Sequence, residues 1–238
     1  MRIRVMAVLL LALATACGDD GGGATTTTGA VAPTTTGAST ETSAPTDTTD
    51  APGDTTSTAA PAGSLAETAR GVVPRPAADA HEYSLENAFG FEVNLPTVWT
   101  DRDNGIWTWF DDADVGRWVM GSTHIPSWET EWGVPGVFVA ASSLQSMLDF
   151  SIDELLFLPW MDPDDCASTQ RFDYADGRFN GAWDLYDDCE GSVFVVLGFT
   201  AADGSHVLYA QVTVETDADY EVLDQIVSSF QVNGSLEP

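Results

Sequence analysis

Phe89-Gly90-Phe91-Glu92-Val93-Asn94-Leu95-Pro96-Thr97-Val98-Trp99 is the stretch on which the reading of the folded part turns. Phe89, Phe91, Val93 and Leu95 alternate with Gly90, Glu92 and Asn94, the period of two expected of a strand with one buried face. Pro96 has no N–H for a ladder and fixes its own φ, so it predicts the end of that strand. Trp99, just past the turn, is a large side chain placed to close the bottom of a core.

Toward the N-terminus the apolar material runs out. None of the 8 Trp, 5 Tyr and 11 Phe precedes Tyr83, so the packed core must follow it. A domain of roughly 150–160 residues buries about 70% of its unfolded surface, enough for one core without staples. One folded domain is expected over residues 71–238. Residues 64–80 read as a transition in which Leu65 to Arg70 forms a single helical turn, broken by Pro74 and Pro76.

Residues 1–16 read as an export signal. Arg2 and Arg4 are its positive end, and Val5 to Ala14 form an apolar run too short to cross a membrane, which takes about 20 residues. Leu13-Ala14-Thr15-Ala16-Cys17-Gly18 resembles the lipobox of bacterial lipoproteins, with Ala14 where that motif usually carries Leu. The resemblance implies cleavage before Cys17, lipidation of Cys17 with acyl chains such as palmitate, and a protein held on the extracytoplasmic face of the cell membrane. Two or more chains give a stable anchor where one is marginal. An ordinary secretory signal cut near Ala16 is the plainer alternative. Residues 17–70 then form a linker rich in Thr, Ala, Pro, Gly and Ser. Between Gly18 and Gly63, Val31 is the only branched aliphatic residue. Such a segment cannot bury enough apolar area to offset its ordering entropy, so a disordered tether is expected. Lifting the domain off the membrane is one expected job, with the tether's Thr residues as candidate glycosylation sites; an inert spacer is the plainer alternative.

The 8 basic residues are all Arg, against 37 Asp and Glu. This imbalance argues against nucleic acid and against anionic lipid surfaces, which call for basic patches. It reads as surface solvation, with a cation-binding or basic-partner face as the sharper alternative. After Cys17 only Cys166 and Cys189 remain. An even pair in an exported chain reads as a disulfide. No histidine lies at metal-ligand spacing from either cysteine, so the pair by itself is not a zinc site.

Along the domain, Tyr83 and Leu85 suggest a short strand leading into the opening stretch. Thr100 to Gly105 reads as a charged loop. Its glycine is one place early for a calcium loop and no glutamate closes it, although Asp111, Asp112 and Asp114 are near. Trp107, Trp109, Trp118, Trp128 and Trp132 make the next region dense in tryptophan, read as core, with an exposed platform for sugars as the alternative. Strands are expected from Arg117 to Thr123 and from Gly136 to Ala141, with a short helical crossing at Pro126 to Trp132 between them. Leu144, Met147 and Leu148 suggest a turn. Ser151-Ile152-Asp153-Glu154 is a capping box, predicting a helix from Ile152 to Leu158 stopped by Pro159. Four strands follow, at Gln170–Tyr174, Arg178–Tyr186, Val193–Phe199 and His206–Val214, with hairpin signals at Asp176-Gly177 and Asp203-Gly204. Val193 to Leu197 is apolar on both faces and predicts a covered, central strand. Thr216 caps a last helix whose Tyr220, Leu223, Ile226, Val227 and Phe230 lie on one face. Hairpins closed by a packed helix predict an α+β fold, mainly an antiparallel sheet flanked by helices.

Phe91 to Trp99, Gly136 to Ala141, Ser151 to Leu156, Phe172 to Val214 and Leu223 to Phe230 together resemble the PsbP-like α/β/α sandwich. More closely, residues 80–232 look like an uncharacterised domain of actinobacterial lipoproteins that also occurs beside trypsin-like protease domains. The resemblance implies a binding or accessory role and names no ligand. No protease motif is present in this chain. His81, His124 and His206 lie in separate segments, and there is no G-x-S-x-G, no H-E-x-x-H, no phosphate loop and no dinucleotide fingerprint. No catalytic, cofactor-binding or metal residue is therefore assigned. The expectation is a non-enzyme: a lipid-anchored binding or accessory protein of the cell envelope with a protein or glycan partner. The alternative is an envelope hydrolase using paired carboxylates, whose separation would have to fall in the glycosidase range.

Overall fold

The computed structural model describes residues 63–108, 113–157 and 165–238. Its centre is a seven-stranded sheet in which every neighbouring pair is antiparallel. Two meanders build it. The first runs through β3 (Asp101–Thr108), β4 (Asp114–Ser122) and β5 (Gly136–Ser142). The second runs through β6 (Ser168–Ala175), β7 (Phe179–Cys189), β8 (Ser192–Ala201) and β9 (Val207–Val214). They join where β5 pairs with β9, giving the order β3-β4-β5-β9-β8-β7-β6.

Strict alternation sends successive side chains of the inner strands to opposite faces. On β8 and β9, Val193, Val195, Leu197, Leu208, Ala210 and Val212 enter one core, while Phe194, Val196, Val207 and Tyr209 enter the other. This is why Val193 to Leu197 is apolar at every position. The first face is covered by α1 (Leu65–Val72), by α5 (Glu221–Ser229) and by a small sheet. That sheet has the order β1-β2-β10, from β1 (Tyr83–Asn87), β2 (Phe91–Pro96) and β10 (Gln231–Val232). The second face carries short helices: α2 (Ile125–Trp128), α3 (Gln145–Leu148) and α4 (Ile152–Leu156). The architecture is α+β, mainly antiparallel, with helices on both faces.

The opening stretch is a strand of the small sheet rather than of the main one. Phe91, Val93, Leu95 and Trp99 are buried in the first core, but Phe89 is not part of the buried face. It lies in the β1–β2 turn with φ +58°, its N–H bonded to Asn87 Oδ1, and is 70% exposed. The turn takes the position that alternation alone would give to the core.

Four further boundaries differ from the sequence reading. The folded part begins before residue 71, because α1 packs Leu65, Ala66 and Ala69 into the first core. Ser64 caps α1 and gives its hydroxyl to Asp224 at 2.5 Å, and Arg70 reaches Asp217 and Glu221 from the same helix. Thr100 to Gly105 mostly forms β3, an edge strand whose exposed, polar residues carry no apolar period. Gln231–Val232 adds β10, too short to leave a periodic signal. The capping box at Ser151 and Glu154 opens α4 as expected, and the helix is assigned to Leu156. Pro159 lies outside the described residues.

Cys166 and Cys189 form a disulfide that ties the start of β6 to the end of β7. Beside it, Arg171 of β6 grips Asp184 of β7 through Nε and Nη2, both at 2.7 Å, and its Nη1 meets Asp153 of α4. Asp184 is 3% exposed and Arg171 45% exposed. The edge hairpin and the helix above it are thus held by one guanidinium.

Candidate functional site

A cleft opens at one end of the sheet, where three segments distant in sequence converge. They are the β6–β7 turn, the β8–β9 turn and the junction of α5 with β10. Its volume is about 470 Å³ and its lining includes Arg178, Ala202, Asp203, His206, Phe230 and Val232. That size falls at the lower end of small-molecule sites.

Each wall follows from local chemistry. In the first turn, Asp176 Oδ1 accepts the N–H groups of Arg178 and Phe179, and Gly177 takes the φ of +87° that L side chains rarely adopt. In the second, Asp203 Oδ1 accepts the Ser205 N–H, and Gly204 supplies φ +72°. The Ala202 N–H donates to the Arg178 carbonyl at 2.7 Å, which joins the two turns. Both Asp-Gly signals are therefore hairpin turns, and together they make the cleft. The third wall is fixed by Arg178. Its Nη1 donates to the Val227 and Ser228 carbonyls and its Nη2 to Phe230, so it satisfies the open C-terminal end of α5.

His206 lies between Phe230, on which it stacks at 5.6 Å, and Phe179, which meets it edge-on at 5.9 Å. Its Nδ1 is paired with Ser205 Oγ, and its Nε2 is buried with no partner. Burial pushes the imidazole below its ordinary pKa, so the ring is neutral at pH 7. Hydrogen bonds from Ser205 lower the pKa of Asp203 as well, which for a carboxyl group deepens the charged form. The contiguous Ser205 and His206 do not form a triad: Asp203 binds the Ser205 backbone and leaves the imidazole without an orienting carboxylate. Among the described residues the cleft holds one carboxylate, Asp203.

The other two histidines are placed elsewhere. His81 Nε2 meets Asp219 Oδ1 at 2.7 Å, where Asp219 also accepts from the backbone of Glu215 and Thr216. This pair anchors the strap between α1 and β1 onto the turn before α5. His124 caps α2, with Nδ1 accepting the Ser127 N–H. No group of three or more potential metal ligands occurs among the described residues. Asp101 Oδ2 accepts the Ile125 N–H, and Asp114 accepts from Thr108, while Asp111 and Asp112 lie outside the described residues. Trp107, Trp118 and Trp128 are buried, and Trp132 packs edge-on against Phe194. These rings are core and not a platform; Trp109 and Cys17 lie outside the described residues. Sequence reasoning missed Arg178 and Asp203 as site residues. The one signal was the two Asp-Gly turns, and their convergence is not written in either.

The fold and cleft define an antiparallel α+β domain with a small open pocket at the end of its sheet. Compared with known proteins, the chain matches no family model, and no curated protein matches it.

Proposed function

We propose that this is a lipid-anchored binding or accessory protein of the bacterial cell envelope, facing outward from the membrane and engaging its ligand at the end of the sheet. The observation that carries the reading is the order of parts in the chain. A short apolar signal ends in Leu13-Ala14-Thr15-Ala16-Cys17, a tether-like composition follows, and a domain with a pocket comes last. The PsbP-like resemblance supports the same role. Lipidation accounts for a cysteine placed directly before a polar segment, where a free thiol has no partner to pair with in the domain, Cys166 and Cys189 being joined.

Cell fractionation of the Cys17→Ala variant tests the anchor. The wild-type protein is expected in the membrane fraction and the variant in the soluble exported fraction. A variant that stays with the membrane overturns the assignment. Crosslinking in the native envelope, followed by mass spectrometry, tests the binding role: recovery of bulk membrane proteins alone counts against a specific partner.

A further inference from the structure

Among the described residues Arg117 and Arg178 are the arginines that meet no carboxylate; Arg117 gives its Nη2 to the Glu237 carbonyl away from the cleft, and Arg178 lines it. Arg70, Arg75, Arg102 and Arg171 each meet a carboxylate. Arg178 is exposed at the wall of the cleft, and no carboxylate of the described residues pairs with it. Its three hydrogen bonds all go to carbonyls at the end of α5, two from Nη1 and one from Nη2. A guanidinium has five N–H donors in a fixed plane. The two left over are the Nε–H and one Nη2–H, which lie side by side. Arg171 uses this same side-on fork to hold both oxygens of Asp184. On Arg178 the fork has no protein acceptor among the described residues, although the cap on α5 already holds the group in place. A preorganised, unneutralised guanidinium beside a pocket is a receptor for a planar anion.

We propose that the cleft binds a small carboxylate ligand, gripped side-on by Arg178 Nε and Nη2, with its apolar body along Ala202 and Val232. The ionised Asp203 opposes a second negative charge and favours an ammonium group, so a free amino acid fits better than a dicarboxylic acid. The neutral His206 contributes no charge, which leaves Arg178 as the cation that selects the ligand. The domain's overall negative charge repels anions at a distance, but this term is screened within about 8 Å at physiological salt, whereas the fork acts at contact. The inference rests on the reading of the domain as a binding module and is independent of the lipid anchor, so the Cys17→Ala fractionation and the titration below fail separately.

The test is an NMR titration of the full-length protein with leucine, leucinamide and inorganic phosphate. Leucine is expected to shift the amides of Arg178, Ala202, Asp203 and Val232 in a saturable way, and leucinamide, lacking the carboxylate, is not. Arg178→Lys keeps the charge but loses the fork and should weaken leucine binding about tenfold or more. Because that variant also disturbs the α5 cap, Ala202→Trp provides a second arm: it fills the cleft, keeps the arginine that caps α5 and should abolish binding, while circular dichroism and the melting temperature show the fold intact. The proposal is overturned if leucine shows no saturable binding, or if leucinamide binds as well as leucine. Tighter binding of phosphate than of leucine, or undiminished leucine binding in both variants, overturns it equally.

Discussion

Removing Arg171 should cost more stability than removing Asp184, although both substitutions delete the same two hydrogen bonds. Asp184 is 3% exposed, while Arg171 is 45% exposed and also touches Asp153. In Asp184→Ala the stranded group is the guanidinium, which turns into water and keeps its second partner. Breaking a buried pair costs roughly 3–5 kcal/mol, and rehydration of a half-exposed partner brings this down to about 2 kcal/mol. In Arg171→Ala the stranded group is a carboxylate with almost no access to water, so the full range of about 3–5 kcal/mol applies. Each kcal/mol moves the melting temperature of a domain this size by roughly 2–4 °C. The expected falls are therefore about 4–8 °C for Asp184→Ala and about 6–20 °C for Arg171→Ala. Since the penalty in Arg171→Ala comes from the orphaned charge, the double variant should be more stable than Arg171→Ala alone. The assay is urea unfolding at pH 7, followed by tryptophan fluorescence with the disulfide kept oxidised. Equal losses in the two single variants, or strictly additive losses in the double, would refute the reasoning.

Three other expectations use different parts of the molecule. Burial holds the folded-state pKa of His206 below its unfolded value, so its contribution to stability is complete above about pH 6.5 and is lost as pH falls from there through the folded pKa. His206→Phe should therefore flatten the stability–pH curve between about pH 7 and 5, and an unchanged slope counts against a neutral, buried imidazole. Reducing the Cys166–Cys189 bond, which closes a separation of 23 residues, should cost about 3 kcal/mol, read as a lower melting temperature in dithiothreitol. Gly136→Ala should destabilise by about 1–3 kcal/mol even though Gly to Ala in a strand usually helps. The added Cβ would lie 2.6 Å from the ring of Trp128, which is fully buried and held by its Nε1–Thr213 Oγ1 bond at 2.9 Å. A neutral or stabilising result would mean that the indole is free to shift.

Local signals were legible wherever a few adjacent residues carry the whole cause. Ser151 and Glu154 bond each other's backbone across one turn, and Asp176 and Asp203 close turns in which Gly177 and Gly204 take positive φ. Period-two alternation located most strands, because one buried face leaves its mark on every second residue. The same logic failed for β3, whose edge position lets its first five residues carry no apolar period, and for Phe89, where turn geometry overrode the alternation. The docking of α1 was also hidden. Its contacts with Asp217, Glu221 and Asp224 reach across roughly 150 residues of sequence.

By itself, the sequence determined the class of elements, the place of the aromatic part of the core from Tyr83 onward, and the cysteine pair, all of them consequences of composition or short-range pattern. Tertiary structure alone decided that β5 meets β9, that Phe91 to Pro96 belongs to a small second sheet, and that Arg178, Asp203 and His206 share a cleft. The reason is physical. A strand's period says that one face is buried, but not against which partner, since the apolar surface it must cover is non-directional and many pairings would cover it. The cleft is a further step removed: it exists only where the ends of two hairpins and the end of a helix arrive together.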